Sequence, residues 1–392
     1  MVDCSDKLKK LPPYVFAVMK NLMKDAYSKK LDVIDLSMGN PDLPTAKHVV
    51  DRLVDTVRNH PNTHRYPQAK GMPKFRQSVS QFYKSRFDIN IDPETEALAL
   101  VGSKEGVGHL AAAVLDAGDI ALVPGPSYPV HYNGVILAGG QVHLMPLLEE
   151  NKYLPDLTKI PEQIARQAKL MYINYPNNPT AAVVEDLKFY EEVTAFAKKY
   201  DIIVASDLAY SEICFDGYRA PSFLQVPGAM DIGIEFGSFS KTYNMAGWRI
   251  GYAVGNAKIV GYLEKFKSYM DYGVFTALQL AGVAALTGPQ DCVTDMCKIY
   301  QQRRDIMVDG LNKMGWKVNK PKATMYLWAP VPEKHKQMKS LEFCEFLLKE
   351  TGIAVAPGNG FGENGEGYVR IALVTHDNRF HDALLRLKKF LR

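Results

Sequence analysis

Between Leu98 and Gly255 the chain repeats one pattern: a short apolar run, a polar turn, then a stretch with helical spacing. The runs are Leu98–Val101, Ile120–Pro124, Gln141–Pro146, Lys169–Ile173, Ile202–Ser206, Ile232–Phe236 and Ile250–Val254. Continuous apolar runs suit strands covered on both faces, and helices between most of them allow parallel pairing. The pattern therefore predicts an α/β fold, a three-layer αβα unit around a mainly parallel seven-stranded sheet. The helices read clearly at Glu105–Ala117 and Glu185–Tyr200, where apolar positions recur at three and four residues and an acidic residue opens the first turn.

Past Gly288 the pattern changes to a long helical stretch, Gln290–Lys313, then strands near Ala323–Trp328, Ile353–Ala356 and Tyr368–Leu373, and a closing helix from Asp377. This predicts a smaller α+β unit. The segment before Lys47 is too short to fold alone and is expected to pack on that unit, giving boundaries of 1–46, 47–288 and 289–392. The 392 residues leave room for this division, at about 150 residues per domain.

Composition removes several classes. Hydrophobic residues are 47% and charged residues 23%, which excludes disordered, collagenous and coiled-coil chains. The 47 Lys and Arg against 43 Asp and Glu form no basic block that would track a nucleic-acid backbone. Lys7, Lys9, Lys10 and Lys20 break up the apolar N-terminal residues, so no signal-peptide core forms, and no uninterrupted apolar run reaches the roughly 18 residues of a membrane span. The five cysteines, Cys4, Cys214, Cys292, Cys297 and Cys344, are odd in number and scattered, and read as buried free thiols in a reducing compartment. A cytoplasmic protein is expected, with no metal site, since neither cysteines nor histidines show ligand spacing.

The segment richest in possible chemistry is Gly237–Gly251, GSFSKTYNMAGWRIG. It places Lys241 among hydroxyl residues just after an apolar run. A desolvated lysine, or one held near other cations, becomes a usable amine nucleophile. Ser238, Ser240 and Arg249 would then hold an anion beside it. An isolated lysine in a polar turn is ordinarily just a surface residue. Val101-Gly-Ser-Lys-Glu-Gly106 lies at a strand-to-helix junction, where free N–H groups at Gly102, Ser103 and Lys104 form a phosphate cradle or, equally, an ordinary capping turn. Neither a P-loop nor a dinucleotide fingerprint is present.

Three further positions fall at strand ends, where ligands of open α/β sheets sit. Asn178, in YPNNPT, lies on a rigid turn; Asp207 suits a protonated heteroaromatic nitrogen or a plain helix cap; Tyr128, in PSYP, offers a stacking face or rim packing. Arg370 is a charge inside an apolar strand, YVRIA, which calls for a structural salt bridge or a substrate carboxylate.

Taken in order, these elements resemble the pyridoxal-phosphate aminotransferases of fold type I, the aspartate aminotransferase superfamily, over nearly the whole chain. The matching motifs run SMGNPD, RYPQAKG, GSKEG, PSYP, NNPT, DLAY, SFSK, RIG and YVRIA. The resemblance implies that Lys241 bonds covalently to pyridoxal 5'-phosphate and shuttles the substrate α-proton. It implies that Asp207 pairs with the ring nitrogen, that Tyr210 and Asn178 hydrogen-bond the phenolic oxygen, and that Tyr128 stacks on the ring. Ser103, Lys104 through its backbone, Ser238 and Arg249 would bind the phosphate, with Ser240 beside them in the cofactor site and Tyr66 reaching the phosphate from the second subunit of a homodimer. Arg370, Asn178 and the Gly39 backbone would hold the substrate α-carboxylate.

Two departures stand out. The family's Asn-Pro-Thr-Gly reads Asn178-Pro-Thr-Ala181 here, and the stretch SYMDYGVF from Ser268 has no arginine for a distal carboxylate. That stretch, with the DGYRAPSFLQVPG run from Asp216, looks most like the bacterial alanine transaminase group, whose near relatives act on LL-diaminopimelate and methionine. The reaction implied is ping-pong transfer from a small neutral amino acid, alanine first, to 2-oxoglutarate. LL-diaminopimelate, methionine or aspartate transamination and carbon–sulfur lysis on the same fold are the alternatives. A ligand-sensing module of a transcription regulator is disfavoured by the short segment before Gly39, and the Tyr14-Val-Phe16 segment is suggested as a substrate cover.

Overall fold

The computed structural model describes residues 3–12 and 15–391, with nothing said of the side chains of Val15 and Phe16; the suggested Tyr14–Phe16 cover lies outside what is described. Among the described residues eleven strands form two sheets: β1 (Ile34–Leu36), β2 (Ala97–Leu100), β3 (Ile120–Gly125), β4 (Gln141–Pro146), β5 (Ala168–Ile173), β6 (Ile203–Asp207), β7 (Gly233–Ser238), β8 (Gly251–Gly255), β9 (Tyr326–Pro330), β10 (Ile353–Pro357) and β11 (Tyr368–Ala372). The larger sheet runs β2-β8-β7-β6-β5-β3-β4, with β8 antiparallel to β2 and β7 and the other pairs parallel.

Burial on both faces follows the strand period of two. Ala97, Ala99, Met171 and Ile173 enter one core, while Leu98, Leu100, Leu170 and Tyr172 enter the other. Helices Pro73–Phe87 and Lys188–Tyr200 cover the first face through Phe75, Val79, Phe189 and Val193. Helices Ser103–Val114 and Ala257–Met270 cover the second through Val107, Leu110, Ile259 and Leu263. These are the three αβα layers that the sequence implies. All seven apolar runs are strands, Gln141–Pro146 with the expected bounds and the others with ends no more than two residues away.

One buried charge ties these layers together. Glu235 on β7 accepts hydrogen bonds from Tyr83 Oη (2.9 Å), Ser206 Oγ (2.9 Å), Ser222 Oγ (2.6 Å) and the Phe223 N–H (3.1 Å). Four donors offset the desolvation of a fully buried carboxylate. Burial pushes its carboxyl above the usual range, with those donors opposing. The network fixes Ser206, and so the end of β6, against β7.

The second sheet runs β1-β10-β11-β9, with β1 parallel to β10 and the other pairs antiparallel. It joins residues from both ends of the chain. Its core takes Met19 and Met23 from the N-terminal region, Met296, Tyr300 and Met307 from helix Asp291–Lys313, and Phe380 and Leu387 from the closing helix Asp377–Phe390. Tyr210, Ile213 and Phe215, from the middle of the chain, also enter this core. The residues just after β6 therefore bridge the two sheets.

Candidate active site

A cavity of about 590 Å³ opens at the carboxyl ends of β5, β6 and β7, against the second sheet. Among the residues expected in a site, Gly39, Ser103, Lys104, Tyr128, Asn178, Asp207, Tyr210, Ser238, Ser240, Lys241, Arg249 and Arg370 all line it. Tyr66 does not; it is 90% exposed and edge-on to Tyr272 at 5.7 Å. A larger cavity, about 750 Å³ around Tyr153, Thr180 and Trp328, holds none of these residues except the flanks of the Asn178 turn.

The anion end is built from three turns. Helix Ser103–Val114 starts two residues earlier than expected, which puts Ser103 and Lys104 in its first turn, behind Gly102 at φ 78°. A methyl on Gly102 would lie 2.4 Å from Arg249 Nη2, and one on Gly251 would lie 2.7 Å from the Ser103 nitrogen. Only glycine lets the three segments close up. Arg249 itself sits at φ 54° and donates to the Ala246 carbonyl at 3.1 Å, while Ser238 Oγ accepts the Ser240 N–H at 3.2 Å. Helix N–H groups, hydroxyls and a guanidinium converge as a phosphate requires. Lys104 Nζ lies 5.6 Å from the Tyr128 ring centroid.

At the centre, Lys241 follows β7 in the short helix Phe239–Thr242, and its Nζ donates to the Gly39 carbonyl at 2.6 Å. Desolvation pushes its amine below the ordinary lysine range; Arg370 and Arg249 push the same way and Tyr326 opposes them. Asp207 ends β6 with Oδ2 3.2 Å from His131 Nε2, which donates when it carries the ring proton. His131 is buried and stacked on Tyr172 at 5.2 Å. Asp207 Oδ1 is buried without a hydrogen-bond partner among the described residues. An orphaned carboxylate oxygen facing a cavity is costly unless a ligand donor meets it.

The third part lies against the second sheet. Arg370 on β11 is 1% exposed and donates to Asn178 Oδ1 (2.8 Å) and the Ser37 carbonyl (2.9 Å). Its guanidinium sits 4.2 Å from the Tyr326 ring centroid and 4.6 Å from that of Phe361. Asn178 Nδ2 reaches Tyr210 Oη at 3.4 Å, and Tyr210 Oη lies 3.0 Å from Tyr326 Oη. Burial and the neighbouring Tyr326 push the Tyr210 phenol well above its ordinary value. Burial would raise Tyr326 too, but Arg370 and Lys241 outweigh it and hold that phenol low. Tyr210 is therefore the harder of the two phenols to deprotonate.

The sequence reading missed Tyr326, His131 and Asn174. Tyr326 fits so closely that a methyl on Gly39 would lie 1.9 Å from its oxygen. Asn174 anchors the site turn, donating to the Asp207 carbonyl at 2.7 Å and accepting the Asn178 N–H at 3.0 Å. The Ala181 departure also resolves: Ala181 adopts φ 58°, the left-handed conformation a glycine would take, so the turn survives the substitution.

A parallel sheet with an amine, an orphaned carboxylate and an anion cradle at its carboxyl edge defines a cofactor-dependent enzyme of the group-transfer kind. The family model for aminotransferase class I and II matches residues 31–386, and the chain belongs to that family. It is 50% identical over 385 residues to an LL-diaminopimelate aminotransferase of Moorella thermoacetica, covering 98% of this chain and 97% of that one. It is 47% identical over 386 residues to the glutamate-pyruvate aminotransferase AlaC of Escherichia coli, covering 98% and 93%. Substrate-bound BacF from Bacillus subtilis superposes with a TM-score of 0.94 at 39% identity, over 100% and 98% of the two chains. The chain is an aminotransferase, and its cofactor is pyridoxal 5'-phosphate. The residues present fit that group, since Asp207 Oδ1 awaits a donor, Lys241 offers a desolvated amine and the glycine-lined turns leave room for a phosphate.

Proposed function

We propose that this aminotransferase takes LL-diaminopimelate as amino donor and 2-oxoglutarate as acceptor, using the cavity around Lys241. The observation that carries the reading is the convergence on one cavity of a desolvated amine, an orphaned carboxylate and a carboxylate-ready arginine. The donor rests on similarity at 50% and 49% identity, over nearly full length, to relatives named for LL-diaminopimelate. Alanine, the donor expected from sequence, is the second reading; the AlaC relative and the lack of an arginine in Ser268–Phe275 favour it.

When bound, pyridoxal phosphate supplies an electron-poor ring that takes up the electron pair left as the substrate α-carbon loses its proton. Asp207 would meet the ring nitrogen through Oδ1, with His131 holding the other oxygen in place. Lys241 Nζ, whose pKa burial lowers, would carry the proton to and from the α-carbon. Tyr210 would hydrogen-bond the phenolic oxygen, beside Asn178. Ser103, Ser238, Ser240 and Arg249 bind the phosphate, with Lys104 contributing through its backbone, and Tyr128 covers the ring. Arg370 grips the substrate α-carboxylate, assisted by Asn178 and the Gly39 backbone.

The rest of the reading concerns organisation. Residues 47–288 serve the cofactor, and 1–46 with 289–392 form the smaller unit; the two separate cores support this. A cytoplasmic homodimer fits five free thiols, exposed Tyr66, Tyr269 and Met270, and the want, among the described residues, of any helix long and apolar enough to cross a membrane. The test is a panel of amino donors with 2-oxoglutarate. LL-diaminopimelate should give the highest kcat/KM; a higher value for alanine moves the assignment to the second reading, and no turnover with either removes both.

A further inference from the structure

Lys267, in helix Ala257–Met270, is fully buried, and the catalytic reading makes no use of it. Its Nζ lies 3.1 Å from both carboxylate oxygens of Glu105 and 3.0 and 2.9 Å from those of Asp271. His109 Nδ1 completes the cluster, 2.5 Å from Glu105 Oε1. Glu105, His109 and Asp271 have the spacing of a metal site, with ligand atoms within 4.8 Å of one another. The lysine ammonium is already the cation between the two carboxylates, so the cluster reads as a closed ion network.

Its placement gives it a purpose. Glu105 Oε2 also accepts the Val101 N–H at 3.0 Å, and the Glu105 N–H donates to the Gly102 carbonyl at 3.2 Å. One carboxylate thus clamps the turn from which the anion cradle is made. On the other side, Asp271 Oδ1 accepts the Gly273 N–H at 2.9 Å. Gly273 is at φ 111°, and a methyl there would lie 2.6 Å from the Gln68 carbonyl. That packing seats the 271–275 segment on the loop that carries Tyr66, where Tyr272 meets the Tyr66 ring.

We infer that Lys267 is a positioning residue for phosphate: it locks Glu105 and Asp271 so that the Gly102–Lys104 cradle and the Tyr66 loop keep a shape matched to that group. The inference rests on the proposed reading that the cradle holds the cofactor phosphate. A buried ion pair that loses one partner leaves the other uncompensated, so the carboxylates must move when the lysine is removed.

The test strips the full-length holoenzyme of cofactor and titrates it with pyridoxal 5'-phosphate and, separately, with pyridoxal, following absorbance. Lys267→Met should weaken pyridoxal phosphate by about tenfold or more, the size of one charge-assisted contact, and leave pyridoxal nearly unchanged. Lys267→Arg should recover most of the loss. Asp271→Asn, nearly isosteric, should show the same selective weakening on a smaller scale, and decides the matter if Lys267→Met does not fold. Equal weakening toward both ligands, or none, overturns the inference. Arg249→Met tests the underlying reading: if it too fails to distinguish the two ligands, the phosphate does not bind in this cradle.

Discussion

The two ends of the cavity are assembled differently. At the anion end, Ser238, Ser240 and Arg249 come from one stretch of chain, and Ser103 and Lys104 are neighbours at a helix start. At the carboxylate end, Arg370 meets Asn178 across 192 residues and Ser37 across 333, and Lys241 reaches Gly39 across 202. Local turns set the first end. The second needs Arg370 and Gly39 of the second-sheet unit to meet Asn178 and Lys241 of the large-sheet unit.

That contrast can be broken by substitution. Lys241→Ala, which removes the amine but leaves the anion turns intact, should cut turnover at least about a thousandfold while still binding pyridoxal phosphate. An assay of transamination beside a cofactor-binding titration separates the two effects; substantial residual turnover would sink the role given to Lys241. Arg370→Ala should raise KM by roughly 10- to 100-fold, from the 1.5–3 kcal/mol of a charge-assisted contact, and leave cofactor affinity unchanged. If cofactor affinity fell with it, the two ends would not be separable.

Tyr326→Phe bears on pH. The Lys241 amine is depressed by burial, and Tyr326 is the neighbour that raises it. The neutral amine grows as pH rises through the folded-state pKa, so the wild-type rate should climb on that limb below the ordinary lysine range. Removing the Tyr326 oxygen lowers that pKa further and should move the limb to lower pH. A pH–rate profile shifted upward instead would reverse the electrostatic account. The smallest effect belongs to Ala181→Gly. Relieving a left-handed alanine gains about 1 kcal/mol, of which glycine's unfolded-state entropy takes back roughly half, so thermal denaturation should show a slightly higher Tm and unchanged activity.

The same contrast explains what was legible in the sequence. The seven large-sheet strands announced themselves because burial on both faces makes them continuous apolar runs. β1 escaped notice because it has three residues and pairs in parallel with β10, at the far end of the chain. The site lysine, aspartate and arginines were readable as polar groups out of place. Tyr326 was not, because an aromatic inside an apolar strand has the pattern of core packing, and only the fold brings Arg370, Tyr210 and Gly39 around it. His131 was hidden likewise, in a helix whose partner lies 76 residues away.

The claim on which the rest depends is that the Lys241 amine is the cofactor's attachment point. Borohydride reduction of the holoenzyme makes a cofactor–lysine bond permanent, and peptide mass mapping then locates it. The account predicts the added mass on Lys241 and on no other lysine. Modification of Lys104 or Lys267, or of no lysine at all, would contradict it.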